Sequence, residues 1–219
     1  MMTSSQLQET ILKAALTHVA FDGWTMKALE AGATDAGLPP EDAARAFPRG
    51  PAEAVALHSA LADADMTAAM AALDPPPART ADKVAMAIRL RLEAAAPERE
   101  AVRLGLGLLA RPQYAPLGLK ALSRTVDAVW RSAGDRSADF NWYTKRGLLA
   151  AVYMATVNFW LDDKSDGSVD SWAFLDRRLA DAMRLPMKAK GMLQKFGGGL
   201  PRPSRVAKHL KRRRMAGSW

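Results

Sequence analysis

The chain has 219 residues, with 31 Lys+Arg against 23 Asp+Glu and a formal net charge of +8. Its 49% hydrophobic content supports a packed core and excludes a disordered chain, while the absence of cysteine excludes disulfides, thiolate metal sites and cysteine nucleophiles. The charge is unevenly spread: residues 1–78 carry four basic and ten acidic groups (−6), residues 79–183 sixteen and thirteen (+3), and residues 184–219 eleven and none (+11).

In chain order the pattern predicts helices throughout, because Ala, Leu, Met and Arg dominate and no run alternates like a half-buried strand. The first runs from about Ser5 to Ala20, with Leu7, Ile11, Leu12, Ala15, Leu16 and Val19 on one face, and Asp22-Gly23 ends it. Thr25 caps a second through about Ala36, and Gly37-Leu38-Pro39-Pro40 turns the chain. A short helix over Glu41–Phe47 precedes a long one from about Ala52 to Leu73. Asp74-Pro75-Pro76-Pro77 is a hard break that coincides with the change of charge. Later helices are predicted at about Ala81–Ala95, Glu98–Ala110, Leu117–Ser132, Asp139–Leu161 and Val169–Leu185. The run Gly147–Leu161 is too short to cross a bilayer and is apolar around most of its circumference, the mark of a central helix buried on several sides. The opening Met1–Glu9 is polar and has no signal-peptide character.

The first four helices, with Phe47-Pro48-Arg49-Gly50-Pro51 after the third, resemble the N-terminal helix-turn-helix domain of TetR-type regulators. The electrostatics oppose DNA binding. Glu41 and Asp42 stand where phosphate would sit, and a segment at −6 repels a duplex at each approach. Catalytic signatures are missing as well: His18, His58 and His209 are far apart, and no Glu-x-x-His pair, zinc motif or phosphate loop is present.

The most distinctive segment is Gly134-Asp135-Arg136-Ser137-Ala138-Asp139-Phe140-Asn141-Trp142-Tyr143-Thr144-Lys145-Arg146. Phe140, Trp142 and Tyr143 cannot share one helix face within four residues, so one of them is available for an interface or serves to anchor the helix to its neighbours. With the acidic Asp162-Asp163 and the later Ser171-Trp172-Ala173-Phe174-Leu175-Asp176-Arg177-Arg178, this segment resembles the ubiquinone (coenzyme Q) biosynthesis accessory proteins, the ninth of the "Coq" proteins. Ala15-Leu16-Thr17-His18-Val19 and Asp22-Gly23-Trp24-Thr25-Met26-Lys27-Ala28-Leu29 agree, and the resemblance covers roughly residues 5–183.

The resemblance implies an all-α, TetR-like fold that has lost DNA binding and has no catalysis of its own. It also implies a pocket in the C-terminal half for an isoprenoid quinone precursor or a phospholipid, and no other cofactor. The implied partner is the demethoxyubiquinone hydroxylase, contacted through Asp139, Trp142 and Tyr143 with Lys145 and Arg146 close behind. Helix position suggests Leu104, Leu108, Leu122, Val126, Leu149, Val152, Met154 and Phe159 for the pocket, with ordinary core as the default reading of each.

After residue 183 the chain departs from the family pattern of one terminal amphipathic helix. Arg184–Phe196 can form such a helix, which Pro186 and Gly191 weaken, and a second basic cluster follows Gly197-Gly198-Gly199. Lys188, Met192, Lys195, Phe196, Lys208, Lys211, Arg212, Arg213 and Arg214 suit an anionic bilayer surface, a solvated tail being the alternative. The expected organisation is thus an N-terminal module (1–78), a lipid-pocket region (79–183) and a basic membrane-docking tail (184–219). The expected function is non-enzymatic lipid binding in ubiquinone biosynthesis, peripheral on the cytoplasmic side of the inner membrane, with homodimerisation open. The alternatives are a TetR-type repressor that senses a hydrophobic ligand, and a basic nucleic-acid-binding adaptor.

Overall fold

The computed structural model describes residues 2–135 and 141–196, and the side chains of all of these except 141–143 and 183–196. Among the described residues every regular element is helical: α1 (Ser4–Asp22), α2 (Met26–Asp35), α3 (Asp42–Ala46), α4 (Pro51–Ala71), α5 (Thr80–Ala94), α6 (Arg99–Leu109), α7 (Ala115–Ser132), α8 (Asn141–Asp162) and α9 (Val169–Phe196). The chain divides into two units, Met1–Ala180 and Asp181–Trp219.

Local chemistry sets the helix starts. Thr3 and Gln6 form a reciprocal capping box on α1, and Thr25 accepts from the Ala28 backbone to start α2. Pro51 and Pro116 occupy the first turns of α4 and α7, where a missing N–H costs nothing. In α9 the expectation of a stop near Leu185 is overturned: the helix continues through Pro186 and Gly191 to Phe196. Proline removes a single ladder bond there, and the flanking Ala, Leu, Met, Arg and Lys are strong helix formers.

The first core is made by α1 and α2 crossing at close range. Ile11, Leu12, Ala15 and Val19 meet Ala28, Leu29 and Ala33, all essentially without solvent exposure. Gly32 permits the approach, since a Cβ at that position would stand 2.6 Å from the Cβ and backbone nitrogen of Ala15. Phe47, just after α3, is buried in the same core, and Trp24 donates its indole N–H to the Ala101 carbonyl at 2.9 Å, joining this core to α6. On α3 itself Asp42 is buried and paired with Arg45, which leaves Glu41, Ala44 and Arg45 as the exposed residues of a single helical turn.

The remaining helices share one body with the first. α4 packs on both α5 and α7, and α7 also meets α5, α6 and α8. The expectation that α8 is a central helix buried on several sides is corrected by its exposed side, while α4 and α7 each meet four other helices. Helix α8 buries Leu149, Val152, Tyr153, Thr156, Val157 and Trp160 at three- and four-residue spacing, but Gly147, Ala151, Asn158 and Phe159 form a solvent stripe. Its apolar exposed residues are small or paired: Phe159 stacks on Phe174 with ring centroids 4.6 Å apart.

The turn from α8 to α9 is pinned by side chains. Asp163 accepts from the backbone and hydroxyl of Ser165 at 2.8 and 2.6 Å, and from the Ser171 backbone at 2.9 Å. Arg99 of α6 donates to the Asp163 carbonyl at 2.7 Å and lies over the Trp160 ring, 4.4 Å from its centroid.

Candidate functional site

Two adjoining spaces lie among α4–α8. The inner one is a chamber of about 80 Å³ whose apolar wall includes Val55, Val102, Leu106, Leu109, Leu122 and Met154, with His58, Ser59, Arg91, Thr125 and Tyr153 as its polar residues. The outer one is an open groove of about 540 Å³ between α6, α7 and α8, lined by Leu106, Leu109, Leu119, Met154 and Leu161 among others, with Arg103 and Asn158 at its rim. Leu106, Leu109 and Met154 line both, so these three side chains form the partition between chamber and groove. Leu119, two-thirds exposed, has no packing role that accounts for a large apolar side chain there.

Behind the chamber a carboxylate gathers three helices. Asp63 of α4 accepts from Arg91 Nε of α5 at 2.8 Å, from Arg124 Nε of α7 at 2.9 Å, and from the Thr125 hydroxyl at 2.8 Å. Arg91 also donates through Nη2 to the Ser59 carbonyl and hydroxyl, at 3.2 and 3.1 Å. Burial opposes the Arg91 charge, but the Tyr153 oxygen and the Asp63 carboxylate outweigh it and hold its pKa above the ordinary arginine value. Tyr153 sits with its ring centroid 5.6 Å from the guanidinium; burial pushes its phenol pKa up, only partly offset by Arg91, so it remains a neutral donor. On another wall His58 pairs with Glu98 at 2.6 Å and tilts against Trp24.

The structure distributes the eight pocket residues expected from sequence among four environments. Leu122 and Met154 line the chamber, and Met154 the groove as well. Val126, Leu149 and Val152 are ordinary buried core. Leu104 and Leu108 pack against the N-terminal core instead, because their face of α6 points toward α1 and α4. Phe159 lies on the outer surface of α8, stacked on Phe174.

Of the contact patch, Asp139 lies outside the described residues, as do the side chains of Trp142 and Tyr143. Lys145 approaches Asp135 at 3.7 Å and the Trp130 ring, and Arg146, largely buried, pairs with Asp127 of α7. Both cations thus tie the start of α8 to the end of α7. In the tail, Lys188, Met192, Lys195 and Phe196 fall on the last turns of α9 with side chains outside the description, and Lys208, Lys211, Arg212, Arg213 and Arg214 lie outside the described residues.

Sequence reasoning missed Asp63, Arg91, Thr125 and Tyr153. A signal for Arg91 was present: Val84, Ala87, Ile88, Arg91 and Leu92 form one three- and four-spaced stripe, with a charge where the core requires an apolar side chain. Among the described residues no group of three or more His, Asp or Glu could hold a metal ion, and no helix is long and apolar enough to cross a membrane.

The architecture is that of the TetR-like class of all-α proteins. It is similar to the TetR transcriptional regulator from Nitrosomonas europaea ATCC 19718, with a TM-score of 0.65 at 20% identity over 80% of this chain and 97% of that one, a likeness of fold alone. Sequence similarity narrows the class. The COQ9 family domain matches residues 115–186, and the N-terminal domain of ubiquinone biosynthesis protein COQ9 matches residues 5–34. The mitochondrial ubiquinone biosynthesis protein COQ9 of Drosophila melanogaster is 33% identical over 202 residues, 87% of this chain and 60% of that protein. Its human counterpart is 34% identical over 195 residues, 86% and 61% of the respective chains. The chain thus matches both domains of the COQ9 family, and it spans about three-fifths of the length of these curated relatives.

Proposed function

We propose that the protein serves ubiquinone biosynthesis as a non-enzymatic lipid-binding accessory protein. In this reading it takes up a polyprenylated aromatic intermediate at the inner membrane and presents it to the demethoxyubiquinone hydroxylase. The observation that carries the reading is the apolar groove between α6, α7 and α8, at about 540 Å³ within the range of ligand sites, joined across a pliable methionine to a chamber with polar residues. The identity of the relatives as ubiquinone biosynthesis proteins supplies the pathway.

The eleven uncompensated cations after residue 183 would hold the molecule at an anionic surface, each worth about 1 kcal/mol near the headgroups. Trp142 and Tyr143 would meet the hydroxylase, with Lys145 and Arg146 fixing the first turn of α8 that bears them. Native mass spectrometry of the purified full chain tests lipid binding: a co-purified isoprenoid or phospholipid supports the reading, and a bare protein mass counts against it. Flotation with anionic vesicles should be lost on truncation after Met183. Trp142→Ala should abolish hydroxylase pull-down while leaving the thermal unfolding transition in place.

A further inference from the structure

The inner chamber is small and unlike the rest of the core in its chemistry. Two of its polar groups make no hydrogen bond to any described residue: the hydroxyl of Tyr153, a side chain more than nine-tenths buried, and Nη1 of Arg91, whose Nε and Nη2 are both engaged. Neither is among the fully enclosed unpaired polar atoms of the described residues, so each borders open space, and both residues line the chamber. Leaving two donors unanswered in a buried site is costly, and a functional ligand is one of the reasons such donors persist.

We propose that the chamber is a head-group subsite in which Tyr153 Oη and Arg91 Nη1 donate together to one oxygen acceptor, a carbonyl or carboxylate at the end of an apolar chain lying in the α6–α7–α8 groove. The inference rests on the lipid-binding reading above and adds to it the polarity and orientation of the ligand: the oxygen enters first, past Met154. Charge agrees with an acceptor. Asp63 carries one negative charge against the two of Arg91 and Arg124, which leaves the polar wall electron-poor. Thr125 spends its proton on Asp63, and His58 is held by Glu98, so neither competes for the position.

Size bears on the choice of head. A chamber of about 80 Å³ is roughly half the 150 Å³ cavity that accepts benzene. A linear carboxyl head fits it as it stands, and a quinone ring fits once Met154, Leu106 and Leu109 yield toward the groove.

The test titrates the full chain with two probes, dodecanoate and a decyl-substituted benzoquinone, by calorimetry, in wild type, Tyr153→Phe and Leu119→Asp. Tyr153→Phe removes a hydroxyl that no described residue answers, so its unfolding temperature should stay unchanged while affinity for whichever probe binds falls about 3- to 10-fold. Leu119→Asp should weaken the same probe through the groove. Preference for dodecanoate identifies a carboxylate head, and preference for the quinone a carbonyl; either result with loss in Tyr153→Phe supports the subsite. Binding by wild type that Tyr153→Phe leaves intact overturns the subsite and leaves lipid binding standing. No binding of either probe to wild type overturns both.

Discussion

The two halves of the helical body solve burial in opposite ways. Around α1 and α2 the core is apolar and filled to contact, with Gly32 against the Ala15 backbone and Phe47 sealed beneath α3. Among α4, α5, α7 and α8 the core holds a charged cluster on Asp63 and an unfilled chamber beside it. Close packing at a single helix crossing gives stability at the expense of adaptability, because no side chain can move without a void or a clash. A chamber walled by Met154 and braced by a buried ion network keeps space open without collapse. Hydrophobic residues alone would have contracted onto it. The TetR-like architecture is thus divided between a half that holds its shape and a half that holds a space.

The largest effect that distinguishes these halves is expected at Asp63. Asp63→Ala leaves Arg91 charged and buried without its counter-ion, a loss of about 3–5 kcal/mol. For a domain of this size that lowers the unfolding temperature by about 10 °C, read by calorimetry. A paired replacement, Asp63→Leu with Arg91→Met, should recover most of that stability, since an apolar substitute of similar volume replaces a desolvated pair. It should do so without restoring wild-type affinity for an oxygen-bearing probe, because the second donor, Arg91 Nη1, is then gone. Recovery of stability and probe binding together would show that the ion network has no part in the chamber.

Next in size is the close helix crossing. Gly32→Ala places a Cβ within 2.7 Å of the Ala15 backbone and should cost about 1–3 kcal/mol in urea denaturation. Adding Ala15→Gly should not rescue it, since the clash is with backbone nitrogen and Cα as well as Cβ. Rescue would mean that α1 and α2 adapt as readily as the chamber walls.

What was legible in the sequence follows the same division. The N-terminal core was readable because Ile11, Leu12, Ala15 and Val19 obey helical spacing and are buried for that reason alone. The family motif gave the fold, and helix order gave α1 to α8 within a few residues. The cavity was not legible from apolar residues, because spacing tells which face is buried and not whether that face meets a neighbour or a space. Leu104 and Leu108 turn toward α1 and α4, while Leu106, which lies between them in sequence, walls the chamber. Residues that break the pattern were the better guide: Arg91 in the apolar stripe of α5 and Asp63 in the small-residue run of α4. Phe159 shows the converse, an apolar residue on a predominantly apolar helix that faces outward onto Phe174.

The smallest expected effect concerns acid. Burial works against the Asp163 charge, but the hydroxyls and backbone N–H groups of Ser165 and Ser171 outweigh it and bring its pKa from 3.8 down to about 2. A carboxylate depressed in the folded state contributes stability that is complete above its unfolded pKa and lost as pH falls through the folded one. The window is therefore from about pH 4 down to about pH 2, and because the group is solvent-accessible the contribution is taken as about 1 kcal/mol. The cap on α1 has no such dependence, since Thr3 and Gln6 do not titrate. Amide exchange should accordingly quicken in the first turn of α9 between pH 4 and pH 2, while α1 and α2 stay protected. Asp163→Asn should show the faster exchange already at pH 6 and no further change on acidification. Equal acid sensitivity at both ends of the body would show that the Asp163 turn is not the point at which acid loosens the fold.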